Sequence, residues 1–245
     1  MAPAKYYDNN VSATLVLLDC MNEHAIRHFI FSSSAAVYGN PEQDLIAEDH
    51  PKMPINPYGR TKWMVEQILS DYDRAYQLKS ICLRYFNAAG ADPQGLLGER
   101  HEPETHLIPL ILQAASGRRS EIGIFGDDYA TPDGSCIRDY VHIADLCQAH
   151  LLALRKLLAG GASAVFNLGN GTGFSVKQIL NAAERVVGHP IPYTVHARRE
   201  GDPPRLVANA ARALAELNWR PAFADVETII RHAWAWECKR VKPRV

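Results

Sequence analysis

An apolar run ending in three hydroxyls, Phe29-Ile30-Phe31-Ser32-Ser33-Ser34, most narrows what this chain can fold into. A nearly continuous apolar stretch of that length is the pattern of a strand buried on both faces of a parallel sheet, and its polar end marks the carboxyl edge. Residues 39–57 hold four prolines and few apolar groups, and read as a loop. Asn56 then offers a helix N-cap and Pro57 a first helical residue. Met64, Val65, Ile68, Leu69 and Tyr72 carry that helix to about Tyr76. Residues 80–87, Ser-Ile-Cys-Leu-Arg-Tyr-Phe-Asn, form a second strand with a polar end. Upstream, Val11, Leu15, Leu18 and Met21 recur at helical spacing, widened by Val16 and Leu17, so residues 5–24 read as a helix. Helix, strand, loop, helix, strand is the alternation of an α/β fold with right-handed crossovers.

After Asn87 the texture changes. Residues 88–104 are rich in Gly and Pro, 106–115 read as a helix, 121–125 as a strand and 126–135 as turns. A helix is expected over 139–158, a strand over 164–168, and a tight glycine turn at 169–173 with Ser175 capping a helix over 176–187. Two more helices are expected around 210–217 and 226–236, followed by a solvated basic tail of Lys239, Arg240, Lys242 and Arg244.

Composition excludes several classes. With 47% hydrophobic and 22% charged residues and a formal net charge of −1, the chain of 245 residues has no basic excess suited to nucleic acid or a membrane surface. No apolar run approaches the roughly 20 residues of a membrane span. The first ten residues lack the apolar core of a signal peptide. Five scattered cysteines without a C-x-x-C pair suit a reducing compartment, so a cytoplasmic location is expected. None of the ten histidines falls in H-E-x-x-H or another metal pattern, and no metal is predicted.

The chemistry centres on Tyr58 and Lys62. At i and i+4 of a helix they project from one face, and a fixed cation beside a phenol favours the phenolate, a general base. Ser34 and Asn87 end predicted strands, on the edge where open α/β sheets bind ligands. A serine beside the phenol can share the proton that the base removes, although a run of serines can equally do no more than cap a strand. Residues 169–173, Gly-Asn-Gly-Thr-Gly, follow a strand and precede a helix, but Phe174 stands where G-x-G-x-x-G needs its last glycine. Arg138 and Asp139, and Arg198, Arg199 and Asp202, set guanidinium forks beside carboxylates. Such sets suit diphosphate and ribose, or form plain surface ion pairs.

Seven strings together resemble the UDP-glucose 4-epimerases, which are extended short-chain dehydrogenases/reductases. They are Tyr-Tyr-Asp-Asn-Asn-Val at 6–11, Phe-Ile-Phe-Ser-Ser-Ser-Ala-Ala-Val-Tyr-Gly at 29–39, Asn-Pro-Tyr-Gly-Arg-Thr-Lys at 56–62 and Leu-Arg-Tyr-Phe-Asn at 83–87. Phe-Gly-Asp-Asp-Tyr-Ala-Thr-Pro-Asp-Gly at 125–134, Arg-Asp-Tyr-Val-His at 138–142 and Arg-Arg-Glu-Gly-Asp at 198–202 complete the set. The resemblance implies bound NAD and epimerisation at C4 of UDP-glucose and UDP-galactose through a 4-keto sugar. Tyr58 is then the base, Lys62 holds the nicotinamide ribose and depresses the Tyr58 pKa, and Ser34 bridges hydroxyl and phenol. Asn9 and Phe86 match cofactor-lining positions. Asn87, His106, Leu107, Gly123 and Phe125 match positions that contact UDP, as do Arg138, Tyr140, Arg199 and Asp202. Leu206 falls where side-chain bulk governs room for an N-acetyl group. Helices 5–24 and 58–76 match a four-helix homodimer interface.

The resemblance also marks a difference. The family opens with a G-x-x-G-x-x-G loop and several strands ahead of Tyr-Tyr-Asp-Asn-Asn, whereas this chain starts almost at that string. The expected fold is therefore a partial Rossmann-like parallel sheet, without the first strands and glycine loop, plus a smaller α/β substrate-binding domain. Residues 1–87 with 136–169 are assigned to the Rossmann part, and 88–135 with 170–245 to the UDP-sugar part. One edge of the sheet should be unpaired, and turnover by the isolated chain should be weak or absent. Two other readings stand beside this one. The first is another nucleotide-sugar epimerase or dehydratase, although Ser34-Ala35-Ala36 lacks the Asp-Glu pair that dehydration needs. The second is a non-catalytic UDP-sugar-binding or dimerising fragment.

Overall fold

The computed structural model describes residues 2–199 and 201–241. The chain opens with helix α1 (Pro3–Tyr6), a π-helical turn over Tyr7–Ser12 and α2 (Ala13–Glu23). Strand β1 (His28–Ser34), a 3-10 turn at Ala35–Val37, helix α3 (Pro57–Tyr76) and β2 (Lys79–Tyr85) follow. Next come β3 (Asn87–Ala89), α4 (Leu107–Ala115), β4 (Ile122–Phe125), β5 (Ile137–Arg138), β6 (Tyr140–His142) and α5 (Ile143–Leu158). The remainder is β7 (Ala164–Leu168), β8 (Phe174–Ser175), α6 (Val176–Val187), β9 (Tyr193–His196), β10 (Arg205–Leu206), α7 (Ala211–Leu217) and α8 (Val226–Val241).

Two compact units divide this chain. Unit 1 comprises Met1–Phe86, Gln148–Leu168 and Ala208–Trp219, and unit 2 comprises Asn87–Cys147, Gly169–Val207 and Arg220–Val245. Residues 136–147, expected with the Rossmann part, cluster instead with unit 2, because β5 pairs with β8 and β10, and β6 with β3.

Unit 1 is built on a parallel sheet of order β1-β2-β7, with Phe31 opposite Cys82 and Cys82 opposite Val165. β1 lies at one edge of that sheet, as expected. Leu18 and Met21 of α2 and Val65 and Leu69 of α3 pack with Phe31, Leu78 and Cys82 in one apolar cluster. The stripe expected on α2 is only half used. Leu15, Val16 and Leu17 are 37%, 71% and 48% exposed, so one face of this helix remains uncovered. Asn10 on the π-helical turn donates its Nδ2 to Thr61 Oγ1 at 2.9 Å, tying this segment to the first turn of α3.

The start of α3 follows from four residues. Asn56 is extended, and its Oδ1 accepts the Gly59 N–H at 2.8 Å while Pro57 occupies the first turn. Gly59 costs helix propensity, yet a Cβ there would lie 2.2 Å from the Ala36 carbonyl oxygen. Glycine thus lets α3 press against the turn that follows β1.

In unit 2, Ile108, Ile111 and Leu112 of α4, Ile179 of α6, and Ile229 and Ile230 of α8 share a core with Ile122 and Ile124 of β4. Ser175 caps α6 with a reciprocal bond to Gln178, as the turn chemistry predicts. Two expectations need correction, and two short strands were not foreseen. The helix anticipated from residue 139 begins at Ile143, because Tyr140–His142 is drawn into parallel pairing with β3. Strands β8 and β10 are two residues each, too short for any periodicity to announce. The supposed solvated tail is partly helix: Lys239 donates to the Gly95 carbonyl, and Arg240 lies 3.9 Å from Glu102. Lys242 and Arg244 lie outside the described residues. Among the described residues, no helix is long and apolar enough to cross a membrane.

Candidate active site

The three serines at the end of β1 have three different partners. Ser32 Oγ lies 2.9 Å from His150 Nε2, and Ser33 donates to buried Glu66 at 2.5 Å. Ser34 accepts the Ala36 N–H at 3.2 Å, and its side chain pulls the Tyr58 phenol pKa down. Only the last is left for chemistry, and simple strand capping does not describe the other two.

Behind Ser33 lies a polar network inside unit 1. Arg84 forms a bidentate ion pair with Glu66, the shorter bond being 2.5 Å, and both side chains are almost fully buried. Arg84 also donates to the Tyr38 hydroxyl at 2.9 Å and to the Glu48 carbonyl, and Tyr38 donates to Asn167 at 2.6 Å. Burial outweighs the Arg84 contact at Tyr38 and pushes its phenol up to about 12. At Arg84 the Glu66 carboxylate overrides burial and holds the guanidinium above its ordinary range. Unpaired charge at such depth costs several kcal/mol, so the pair locks β1, β2 and α3 in one arrangement.

Tyr58 and Lys62 share a face of α3, as the spacing requires. The Lys62 Nζ donates to the Ser32 carbonyl at 3.0 Å and stands 5.6 Å from the Tyr58 ring centre and 5.0 Å from that of Phe31. Tyr6 meets Tyr58 edge to face at 6.1 Å. The expected depression of the Tyr58 pKa is not what these surroundings produce. Burial pushes the phenol up, with Tyr85 and Tyr6 adding to the rise, and the Ser34 hydrogen bond pulls the other way. Burial likewise lowers Lys62. The ammonium is aimed at a backbone carbonyl rather than at the phenol oxygen, so desolvation decides the direction. Asn9 is exposed on the π-helical turn, and Phe86, half-buried, donates its N–H to Leu168 at the end of β7.

Unit 2 carries a cavity of about 550 Å³. Asn87, His106, Leu107, Gly123, Phe125, Arg138, Tyr140, Arg199 and Asp202 all line it. Asn87 is fixed by two bonds from its N–H groups to the Asp139 carbonyl, at 3.0 and 2.9 Å. Arg138 bonds Asp202 at 3.2 Å and the Pro203 carbonyl at 2.9 Å. The Arg199 guanidinium sits 3.7 Å from the Phe125 ring centre, and His196 stacks on the same ring at 5.2 Å. A Cβ at position 123 would come within 2.9 Å of His196, so glycine keeps that wall thin. Leu206, half-buried in β10 and paired with Arg138, is not among the lining residues.

Sequence reading missed His196, Thr194, Arg119 and Glu104, which also line the cavity. The alternation in Tyr193-Thr194-Val195-His196, with two β-branched residues, was the available sign of β9. The loop before α4 also gathers Glu99, His101, Glu104 and His106, a group that no helical metal motif describes.

A plane-stacking arginine, a second guanidinium and a carboxylate around one cavity suit an aromatic base, a diphosphate and sugar hydroxyls. Comparison with known proteins agrees with this chemistry. The model of the NAD dependent epimerase/dehydratase family matches residues 1–169. A UDP-glucose 4-epimerase of Halalkalibacterium halodurans is 52% identical over 96% of this chain and 70% of its own length. The crystal structure of UDP-glucose 4-epimerase from Brucella ovis in complex with NAD aligns with a TM-score of 0.93 at 49% identity, covering 95% of this chain and 71% of that one. That of Bifidobacterium longum, in complex with NAD+ and UDP, aligns at 0.91 and 40% identity, covering 97% and 71%. By motif, by fold and by identity along nearly its whole length, this chain belongs to the NAD dependent epimerase/dehydratase family.

Proposed function

We propose that the chain carries the machinery for NAD-dependent epimerisation at C4 of UDP-glucose and UDP-galactose, through a transient 4-keto sugar. The observation that carries this reading is the grouping of Ser34, Tyr58 and Lys62 at the carboxyl end of β1.

These residues fit the nicotinamide end of NAD. Lys62 uses one of its three N–H donors on Ser32 and offers the others to ribose hydroxyls, with Tyr58, Asn9 and Phe86 as further contacts. When bound, NAD supplies the acceptor and donor of the C4 hydride. Tyr58 removes the proton of the 4-hydroxyl and later returns it. Ser34 donates toward the phenolate and offsets part of the burial that raises the Tyr58 pKa. Of the unit 2 residues, Arg138 and Arg199 bind the diphosphate, Phe125 the uracil, and Asp202 a ribose hydroxyl.

Tyr58→Phe should lower interconversion of UDP-galactose and UDP-glucose, assayed with NAD supplied, by about 10²–10⁴-fold. UDP affinity, measured by calorimetry, should not change. Undiminished turnover in Tyr58→Phe would remove the phenol from the mechanism.

The completeness of the unit 2 cavity favours a second reading, a UDP-sugar-binding module without turnover. UDP binding with neither NAD binding nor turnover in the calorimetric and turnover experiments would select it. The exposed Leu15, Val16 and Leu17 support a homodimer through helices 5–24 and 58–76. Leu206 remains the candidate for limiting bulk at the hexose.

A further inference from the structure

Residues 99–106 are held from two sides. Trp236 of α8 donates its Nε1–H to the Glu99 carbonyl at 2.9 Å, and its ring fills the space that a Cβ at Gly98 would need. At the other end the Glu104 carboxylate, 4% exposed, accepts the N–H groups of Thr105 and His106 at 2.8 and 2.9 Å. These supports bring donor atoms of Glu99, His101, Glu104 and His106 within 4.8 Å of one another. The His106 Nδ1 lies 2.8 Å from Glu99 Oε1 and 3.0 Å from Glu104 Oε1. The His101 Nδ1 is 3.9 Å from the same Glu104 oxygen, and the two imidazoles stack at 5.5 Å.

One Nδ1–H cannot point well at two carboxylate oxygens. A metal is ligated by neutral imidazole nitrogen, so on binding these residues would form a donor set of charge −2, which a divalent ion cancels. His nitrogen and carboxylate oxygen bind zinc at about 2.0–2.2 Å in tetrahedral geometry. The imidazole share disfavours magnesium and calcium, which take oxygen ligands. His101 and His106 are about half exposed, so an ion can enter.

We propose that Glu99, His101, Glu104 and His106 bind one divalent transition metal ion, of which Zn²⁺ is the type. Glu104 and His106 also line the unit 2 cavity. The ion braces this rim through the His106 Nδ1 and leaves Nε2 for the cavity.

The test is calorimetric titration of the chelator-treated chain with Zn²⁺ alone, beside His101→Ala and Glu99→Gln, neither of which is assigned to the nucleotide cavity. Wild type should bind one ion per chain, and each variant should bind about tenfold more weakly or worse. His189→Ala, an exposed histidine elsewhere, should bind as wild type does. One equivalent of Zn²⁺ should raise the melting temperature of wild type but not of the double variant. Melting of both metal-free variants at the wild-type temperature shows that they fold. Absence of saturable one-to-one binding, or wild-type affinity in both variants, overturns the site.

Discussion

Arg84 of unit 1 and the cavity-lining Arg138 and Arg199 of unit 2 are held in opposite ways. In unit 1, Arg84 is 2% exposed, bidentate with Glu66, and further bonded to Tyr38 and Glu48. In unit 2, Arg199 stacks on Phe125 and Arg138 leans on Asp202, and all four border open volume. The first arrangement buries the guanidinium among protein partners and fixes the end of β1 and the helix α3, which carry Ser34 and Tyr58. The second leaves guanidinium faces available. A buried ion-pair network and guanidinium groups bordering open volume thus coexist within one chain.

The largest test of that contrast is Glu66→Gln. It leaves the Arg84 guanidinium buried without its counter-ion, and should cost about 3–5 kcal/mol in a denaturant titration. A comparable cut in unit 2, Arg185→Ala, breaks a 2.7 Å pair with Glu227 whose side chains are 60% and 37% exposed. It should cost no more than about 1 kcal/mol. Similar losses from the two would erase the distinction between a locked network and a solvated pair.

Next in size is Arg199→Ala. If unit 2 keeps its arginines for a ligand, this change should leave the melting temperature within about 2 °C of wild type, because the side chain is exposed. UDP affinity should fall about 10–100-fold, or about 1.4–2.8 kcal/mol. A large loss of stability with little loss of affinity would make Arg199 a structural group like Arg84.

The two units were also unequally legible in sequence. The βαβ pattern of unit 1 could be read because its strands are seven residues long and its helix twenty, with a cap and a proline at the start. What could not be read was the part played by Ser32 and Ser33. That depends on His150 and Glu66, which the chain brings from 118 and 33 positions away. Nor was the Tyr58 pKa direction readable, since spacing gives the distance to Lys62 but says nothing about burial. In unit 2, the nine cavity-lining residues named in advance came chiefly from the family resemblance. His196 and the Glu99–His106 group came from a strand and a loop whose sequence signals are weak.

The smallest effect tests the residue that sequence read most fully. Asn56 takes an extended conformation, and its Oδ1 satisfies one N–H of the first turn of α3, at Gly59. Pro57 removes another donor from that turn, so the cap has less to supply than in a helix without proline. Asn56→Ala should therefore cost about 1 kcal/mol, and Asn56→Asp should restore most of it, since a carboxylate also suits the positive end of the helix. The cap lies beside Tyr58, but the helix is pinned further along by Glu66 and by the contact of Gly59 with Ala36. Turnover should consequently fall less than stability suggests. A loss above about 3 kcal/mol would place Asn56 with the buried network, and would extend the locked part of unit 1 to the cap of α3.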